Sequence, residues 1–182
     1  MLLKKSELDF KNEGKLQELY VIGSEIGKGS FGKVRNVYHK ITRQQRACKC
    51  VPKDTVNQNL FDSEVENLVL LDHPNVLRIH EYFESANNYY IITELCNGKS
   101  LNKFILENGS LPEKDAMKIF QQILVSINYI HSMGVSHRDI KPDNFMVTKD
   151  LKIKLIDFGL SCTEEIMRQK VGSPMYIAPE II

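Results

Sequence analysis

From Leu19 onward, short runs of β-branched and aromatic residues alternate with polar turn residues, the period-two pattern of strands buried on one face. Runs at 19–25, 33–39, 45–52, 79–84 and 88–94 are predicted strands. One stretch among them, roughly 59–71, reads as a helix. It stops before His73-Pro74-Asn75, because a proline biases its predecessor away from helical backbone. In the second half the period changes. Ala116, Ile119, Phe120, Ile123, Ile127 and Ile130 recur at three- and four-residue intervals and predict a long helix with one apolar stripe. Ser110-x-x-Glu113 predicts a capping box near its start, and Gly134 its stop. Short strands follow at 145–147 and 152–156. The polar residues 1–15 carry no sustained period and are expected to form a leader outside the core. A sheet-rich stretch, 16–95, then a helix-rich one, 96–182, predict an α+β fold of two lobes around a cleft, joined near 95–98.

Composition narrows the choice of partners. A hydrophobic fraction of 42% and a charged fraction of 26% are ordinary for a globular protein. A net charge of +1 supplies no overall field to draw in nucleic acid or anionic lipid. Lys4-Lys5 and the scattered Lys33, Arg35, Lys40, Arg43 and Arg46 read as solvated strand and turn faces, so neither nucleic acid nor membrane is an expected partner. No apolar run approaches membrane-spanning length. The opening residues lack the apolar core of a signal peptide, and residue 2 is not glycine. The expected location is the cytoplasm. Cys48, Cys50, Cys96 and Cys162 are not spaced as metal ligands or a redox pair, and are expected to be buried free thiols.

Candidate chemistry begins at Gly27-Lys28-Gly29-Ser30-Phe31-Gly32, a GxGxxG pattern. A dinucleotide-binding turn would need a helix directly after the loop and an acidic residue about twenty positions on. Here a strand follows, Lys33-Val34-Arg35-Asn36-Val37-Tyr38, and the later charged residue is Lys49. The context favours a hairpin over phosphates, since glycine lets backbone N–H groups approach phosphate oxygens without Cβ obstruction. A plain hairpin without ligand is the competing reading of this loop alone. In Arg46-Ala47-Cys48-Lys49-Cys50, strand alternation puts Ala47 and Lys49 on one face and the two cysteines on the other. A small residue beside a lysine leaves room for a flat base and offers a point charge to phosphate. That lysine needs a carboxylate to hold its direction, and the following helix offers Glu64 and Glu66.

The second half carries His137-Arg138-Asp139-Ile140-Lys141-Pro142-Asp143-Asn144, then Asp157-Phe158-Gly159 after a predicted strand, then Ala178-Pro179-Glu180. With the glycine loop and Lys49, this set resembles the eukaryotic protein kinase family from about Tyr20 to Ile182. The resemblance implies a two-lobe kinase fold that binds ATP and magnesium and transfers the γ-phosphoryl group to protein hydroxyls. Such chemistry rests on positioning and charge neutralisation more than on covalent help. By the same resemblance Asp139 receives and orients the substrate hydroxyl, and Lys141 stabilises the charge of the transferred group. Asn144 and Asp157 hold the metals, as hard oxygen ligands. Lys49 steadies the phosphates with Glu64 as its partner, nine positions before His73 as in related kinases; Glu66 is the reserve. The segment from Ile26 through Gly27, Lys28, Gly29, Ser30, Phe31 and Gly32 to Lys33 and Val34 covers the nucleotide. Ala47 lies beside the base, Thr93 sets the depth behind it, and Glu94 to Cys96 meet its edge.

Lysine at 141 resembles the serine/threonine branch, and LDHPNVLRIHEYFE and VGSPMYIAPE are most similar to the calcium-dependent and calmodulin-regulated kinases. No EF-hand loop occurs in the chain, so a calcium-sensing regulator would be a partner or a domain outside it. Four departures stand out. Gln169 lies where many relatives carry a phosphorylatable threonine or an aspartate, and a neutral amide cannot neutralise Arg138. Lys99 and Ser100 follow Gly98 where arginine-directed relatives often have Gly-Glu. Asp143 replaces a glutamate, a shorter acid at a place that contacts basic substrates. Finally, Glu180 calls for an arginine in a later helix, so the chain is expected to be C-terminally incomplete, poorly soluble or loosened in its large lobe when alone. The alternative function is a truncated, inactive nucleotide-binding or regulatory module.

Overall fold

The computed structural model describes residues 10–29, 31–164 and 169–181. They fall into two units, Met1–Leu70 with Arg78–Leu95, and Leu71–Leu77 with Cys96–Ile182.

In the first unit, period-two runs become a six-stranded sheet. Its strands are β1 (Lys11–Asn12), β2 (Tyr20–Lys28), β3 (Lys33–His39), β4 (Gln45–Pro52), β5 (Ile79–Glu84) and β6 (Asn88–Glu94), in the order β1-β5-β6-β4-β3-β2. Every pairing is antiparallel except β1 with β5. The register sets sidedness: Val34 lies opposite Lys49 and Asn36 opposite Ala47, while Arg35 lies opposite Cys48. Paired residues share a face, so Val34, Asn36, Ala47 and Lys49 line one side and Cys48 the other.

Each face has its own cover. Helix α2 (Gln58–Leu70) buries Phe61, Glu64, Val65, Leu68 and Val69, a stripe of three- and four-residue steps. Phe61 stacks on Tyr89 of β6, centroids 4.0 Å apart. The helix starts at Asn57, whose side-chain carbonyl accepts the Leu60 N–H at 2.9 Å. On the other face, Leu16 of the short helix α1 (Leu16–Leu19) joins Tyr20, Val37, Cys48, Phe83 and Ile92 in a buried cluster.

Of residues 1–15, read from the sequence as a leader outside the core, those described are half-buried or exposed. Lys11–Asn12 adds an edge strand beside β5, and Phe10 accepts the Tyr82 N–H at 2.8 Å. A two-residue polar strand is too short to show a period. Burial pushes the Cys48 thiol up to about 12, an inert group. All four cysteines are free, but Cys50 and Cys96 are only partly buried, against the expectation.

The second unit holds α3 (Leu101–Asn108), α4 (Glu113–Ser132) and a small sheet of β7 (Lys99–Ser100), β8 (Phe145–Val147) and β9 (Ile153–Leu155). Helix α3 has too few turns to declare itself by period. Its N-cap is Ser100, whose hydroxyl accepts from the Lys103 N–H at 3.3 Å. That gives the unusual Ser100 a local role.

The predicted capping box of α4 does not form. Glu113 is the first helical residue, so it cannot serve as the third; the Pro112 carbonyl instead accepts from Asp115 and Ala116. Gly134, at φ +74, follows the helix end as expected. Of the predicted stripe, Ile119 and Ile130 are buried, Ala116, Ile123 and Ile127 are half-buried, and Phe120 is exposed; Met117, Leu124 and Val125, outside the stripe, are exposed as well. Leu71–Leu77, placed by sequence in the first half, bonds to β9 through Leu77 N–H to Leu155 O and Leu155 N–H to Asn75 O. No helix of the described residues is long and apolar enough to cross a membrane.

Candidate active site

In the first unit, β2 and β3 are joined by the glycine loop as a hairpin, which removes the strand-to-helix turn that a dinucleotide would need. Gly29 N–H bonds to Gly32 O at 2.8 Å and closes the loop. Gly32 is required by space, since a Cβ there would sit 2.1 Å from the Cys50 carbonyl oxygen. A Cβ on Gly29 would lie 3.2 Å from Cε of Lys49, so the loop and the lysine are neighbours.

Lys49 is itself buried, and its ammonium lies 2.6 Å from Oε1 of Glu64, an acid 5% exposed. The helix period explains the choice: Glu64 belongs to the buried stripe of α2, whereas Glu66 is exposed. Thr93 is opposite Ala47 and so shares this face; Ile26 is half exposed at the end of the same hairpin. Lys28 and Lys33 pair with each other across the hairpin, and Lys33 lies opposite Cys50, on the face away from Lys49, with its ammonium on Glu25 at 3.2 Å. The structure does not bring Lys33 to Lys49. Phe31 is partly buried, and Ser30 lies outside the described residues. Glu94 ends β6 with both its N–H and its Oε1 bonded to the Arg78 backbone. Cys96 opens the second unit, and its carbonyl accepts the Gly98 N–H.

The second unit gathers its polar side chains around Asp139, which is 6% exposed. One carboxylate oxygen accepts from Lys141 at 2.8 Å and from Asn144 at 2.9 Å. The other accepts from the Ser173 hydroxyl at 2.7 Å and the Ser173 N–H at 3.1 Å. Lys141 also donates to the Ser173 hydroxyl at 2.7 Å. Burial is the largest influence on the Asp139 carboxyl and raises its pKa. The hydrogen bonds from Lys141, Ser173 and Asn144, with the lysine charge, outweigh it and hold the acid below its usual range. It is ionised at neutral pH, an acceptor only.

Two residues of this unit's motifs have strained backbone. Arg138 and Asp157 both stand at positive φ, +64 and +61, where a non-glycine residue is disfavoured. Buried His137 anchors the turn: its Nδ1 accepts the Asp139 N–H at 3.3 Å, so Nε2 carries the proton and donates to Ile156 O at 3.0 Å. Burial lowers its pKa most, which keeps it neutral. Its ring meets Phe158 edge-on at 4.8 Å.

Asn144 and Asp157 are neighbours through the Ile156 N–H to Asn144 O bond, 2.9 Å. Asn144 spends its amide N–H groups on the backbone and side chain of Asp139, leaving Oδ1 with no protein hydrogen bond among the described residues. A hard amide oxygen beside a carboxylate fits magnesium, which keeps most of its shell for water and phosphate. The described residues contain no cluster of three or more His, Cys, Asp or Glu able to hold a metal. Asp143 accepts from Asn102 at 3.0 Å.

Ser173 and Gly172 were not anticipated. They lie within VGSPMYIAPE, which carries the family likeness but assigns them no role, and only the fold brings residue 173 back across thirty-four positions to Asp139. Gly172, at φ +124, passes so close that a Cβ would lie 2.8 Å from the Arg138 carbonyl.

Comparison with known proteins supports the same reading. A probable myosin light chain kinase of Dictyostelium discoideum is 40% identical over 90% of this chain and 54% of its own length. Sperm motility kinase 2B of Mus musculus is 41% identical over 90% of the chain and 34% of its own. CBL-interacting protein kinase 1 of Oryza sativa is 38% identical, with shares of 90% and 38%. The chain thus spans about a third to a half of these relatives. Residues 20–182 match the protein kinase domain, and the chain belongs to that family.

Proposed function

We propose that this chain is the catalytic segment of a serine/threonine protein kinase, which transfers the γ-phosphoryl group of ATP to hydroxyls of protein substrates. The observation that carries the reading is Asp139: a buried, ionised carboxylate with Lys141 and Asn144 bonded to it. Magnesium–ATP supplies the activated phosphoryl group and its leaving group. The substrate hydroxyl oxygen forms a bond to the γ-phosphorus as the bond to the ADP oxygen breaks, and the hydroxyl proton passes to Asp139. Lys141 offsets charge on the moving group. Asn144, through Oδ1, and Asp157 hold the metal.

In the first unit Lys49 is aimed by Glu64 and steadies the phosphates, beneath the hairpin from Gly27 to Gly32. Val34 and Ala47, with Ile26, give apolar cover to the base, and Glu94 and Cys96 meet its edge. Lysine at 141 supports serine and threonine over tyrosine as acceptors. A calcium-sensing partner or domain is the regulator we propose, supported by the likeness to a myosin light chain kinase and a CBL-interacting kinase. The cytoplasm is the proposed location, in keeping with four unbridged cysteines.

The test is transfer from γ-labelled ATP to a mixed peptide library by the full-length protein. Label recovered as phosphoserine and phosphothreonine is expected. Label confined to phosphotyrosine, or absent, overturns the reading.

A further inference from the structure

The start of α3 stands beside the carboxylate of Asp139. Asn144 donates to Asp139, and its neighbour Asp143, in the same turn Pro142–Asn144, accepts from Asn102 in the first turn of the helix. Two hydrogen bonds therefore link Asp139 to α3. An extended peptide advances about 3.3 Å per residue, so the residues flanking a hydroxyl placed at Asp139 run past this helix end.

The charges there are unevenly matched. Lys99 and Lys103 both turn to Glu107, Lys99 in close contact and Lys103 at 4.0 Å. One carboxylate cannot neutralise two ammoniums, and among the described residues neither lysine has another acid within ion-pair distance. Lys103 is the freer of the two, its side chain 66% exposed. Its backbone is nonetheless fixed, since its N–H is the one that the Ser100 hydroxyl accepts. The first turn of α3 carries no acid, and the positive end of the helix dipole adds to the lysines. The nearby carboxylate of Asp143 already has Oδ1 engaged by Asn102. An arginine in a passing peptide would meet two lysines; an aspartate or glutamate would meet the unspent charge of Lys103.

We infer that Lys103 is a specificity-determining residue, which selects protein substrates with an acidic side chain close to the phosphorylated serine or threonine. The inference rests on the proposed kinase reading and deepens it by naming the substrate class. A contact so exposed is modest in strength and screened by salt.

The experiment is a positional peptide library around a central serine, phosphorylated by the full-length protein with γ-labelled ATP. Aspartate and glutamate should be enriched about two- to fivefold over alanine at one or more flanking positions, and arginine should not be. The preference should fade in high salt. Lys103→Arg should keep it, Lys103→Ala should lose it, and Lys103→Glu should turn it toward arginine, each with KM for ATP unchanged. A parent that selects arginine or no charge at all, or an acidic preference that survives Lys103→Ala, overturns the inference.

A parent that labels no peptide overturns the kinase reading instead. Fluorescence anisotropy of a labelled serine peptide flanked by aspartates then decides the role of Lys103: weaker binding to Lys103→Glu than to the parent supports it, and equal binding sinks it.

Discussion

Glu64 and Asp139 are almost equally buried acids, 5% and 6% exposed, yet they are held very differently. Glu64 meets one lysine, 2.6 Å away, from a helix stripe facing a strand. Asp139 takes bonds from three side chains and a backbone N–H, on a loop whose preceding residue, Arg138, has strained backbone. The first arrangement follows from regular periods and fixes a direction. The second needs segments far apart in sequence, and fixes a protonation state as well. On the proposed roles, Glu64 has only to aim the lysine that steadies a phosphate, whereas Asp139, as the proton acceptor, needs a defined charge and a defined place for the hydroxyl.

The contrast is open to attack, most strongly at the ion pair. Lys49→Met leaves the Glu64 carboxylate buried without its ammonium, and should cost roughly 3–5 kcal/mol in the first unit's stability. Lys49→Met with Glu64→Leu should recover most of that loss in denaturant unfolding. A double variant no better than the single one would mean that Glu64 is not held by Lys49 alone. At the other acid, Ser173→Ala removes one donor of four and should lower turnover about tenfold while ATP binding stays put. Equal effects on both would show that the hydroxyl has no special place at Asp139.

His137 offers a pH test of the same loop. Its folded pKa is depressed, chiefly by burial, while in the unfolded chain it titrates near ~6.5. Below that pH the unfolded state binds a proton that the folded state refuses, so stability falls as pH drops. The slope is at most about 1.4 kcal/mol per pH unit. His137→Gln should show a shallower loss between pH 7.5 and 5.5 than the parent; identical slopes contradict the buried neutral imidazole. The smallest effect belongs to Asn36, whose side-chain oxygen is buried with no hydrogen-bond partner among the described residues. Asn36→Val should stabilise the first unit by about 1 kcal/mol, read as a higher denaturant midpoint.

How much of this was legible varies with the distance over which each feature is specified. The strands at 33–39, 45–52, 79–84 and 88–94 match the observed bounds, because alternation is written in neighbouring residues. Glu64 over Glu66 was reachable from helix period as well as from spacing to His73. Beyond that reach the reading failed. The edge strand at Lys11–Asn12 exists only because β5 offers it a partner. Helix α3 depends on the Ser100 cap more than on a stripe, and Glu113 lost its capping role because the N-cap stands two residues later than predicted, at Pro112. Lys33 follows the glycine loop in sequence yet faces away from Lys49, a consequence of pleat parity that a motif does not encode. Ser173 was invisible because nothing local to it shows its approach to Asp139.

The most direct test of the account is Asp139→Asn, which keeps the shape of the site and removes the carboxylate. Turnover with γ-labelled ATP and nucleotide affinity should be measured on the same preparation of full-length protein. The account predicts a fall in phosphoryl transfer of about 10²- to 10⁴-fold with ATP still bound. Transfer at the parent's rate, with binding intact, would contradict it.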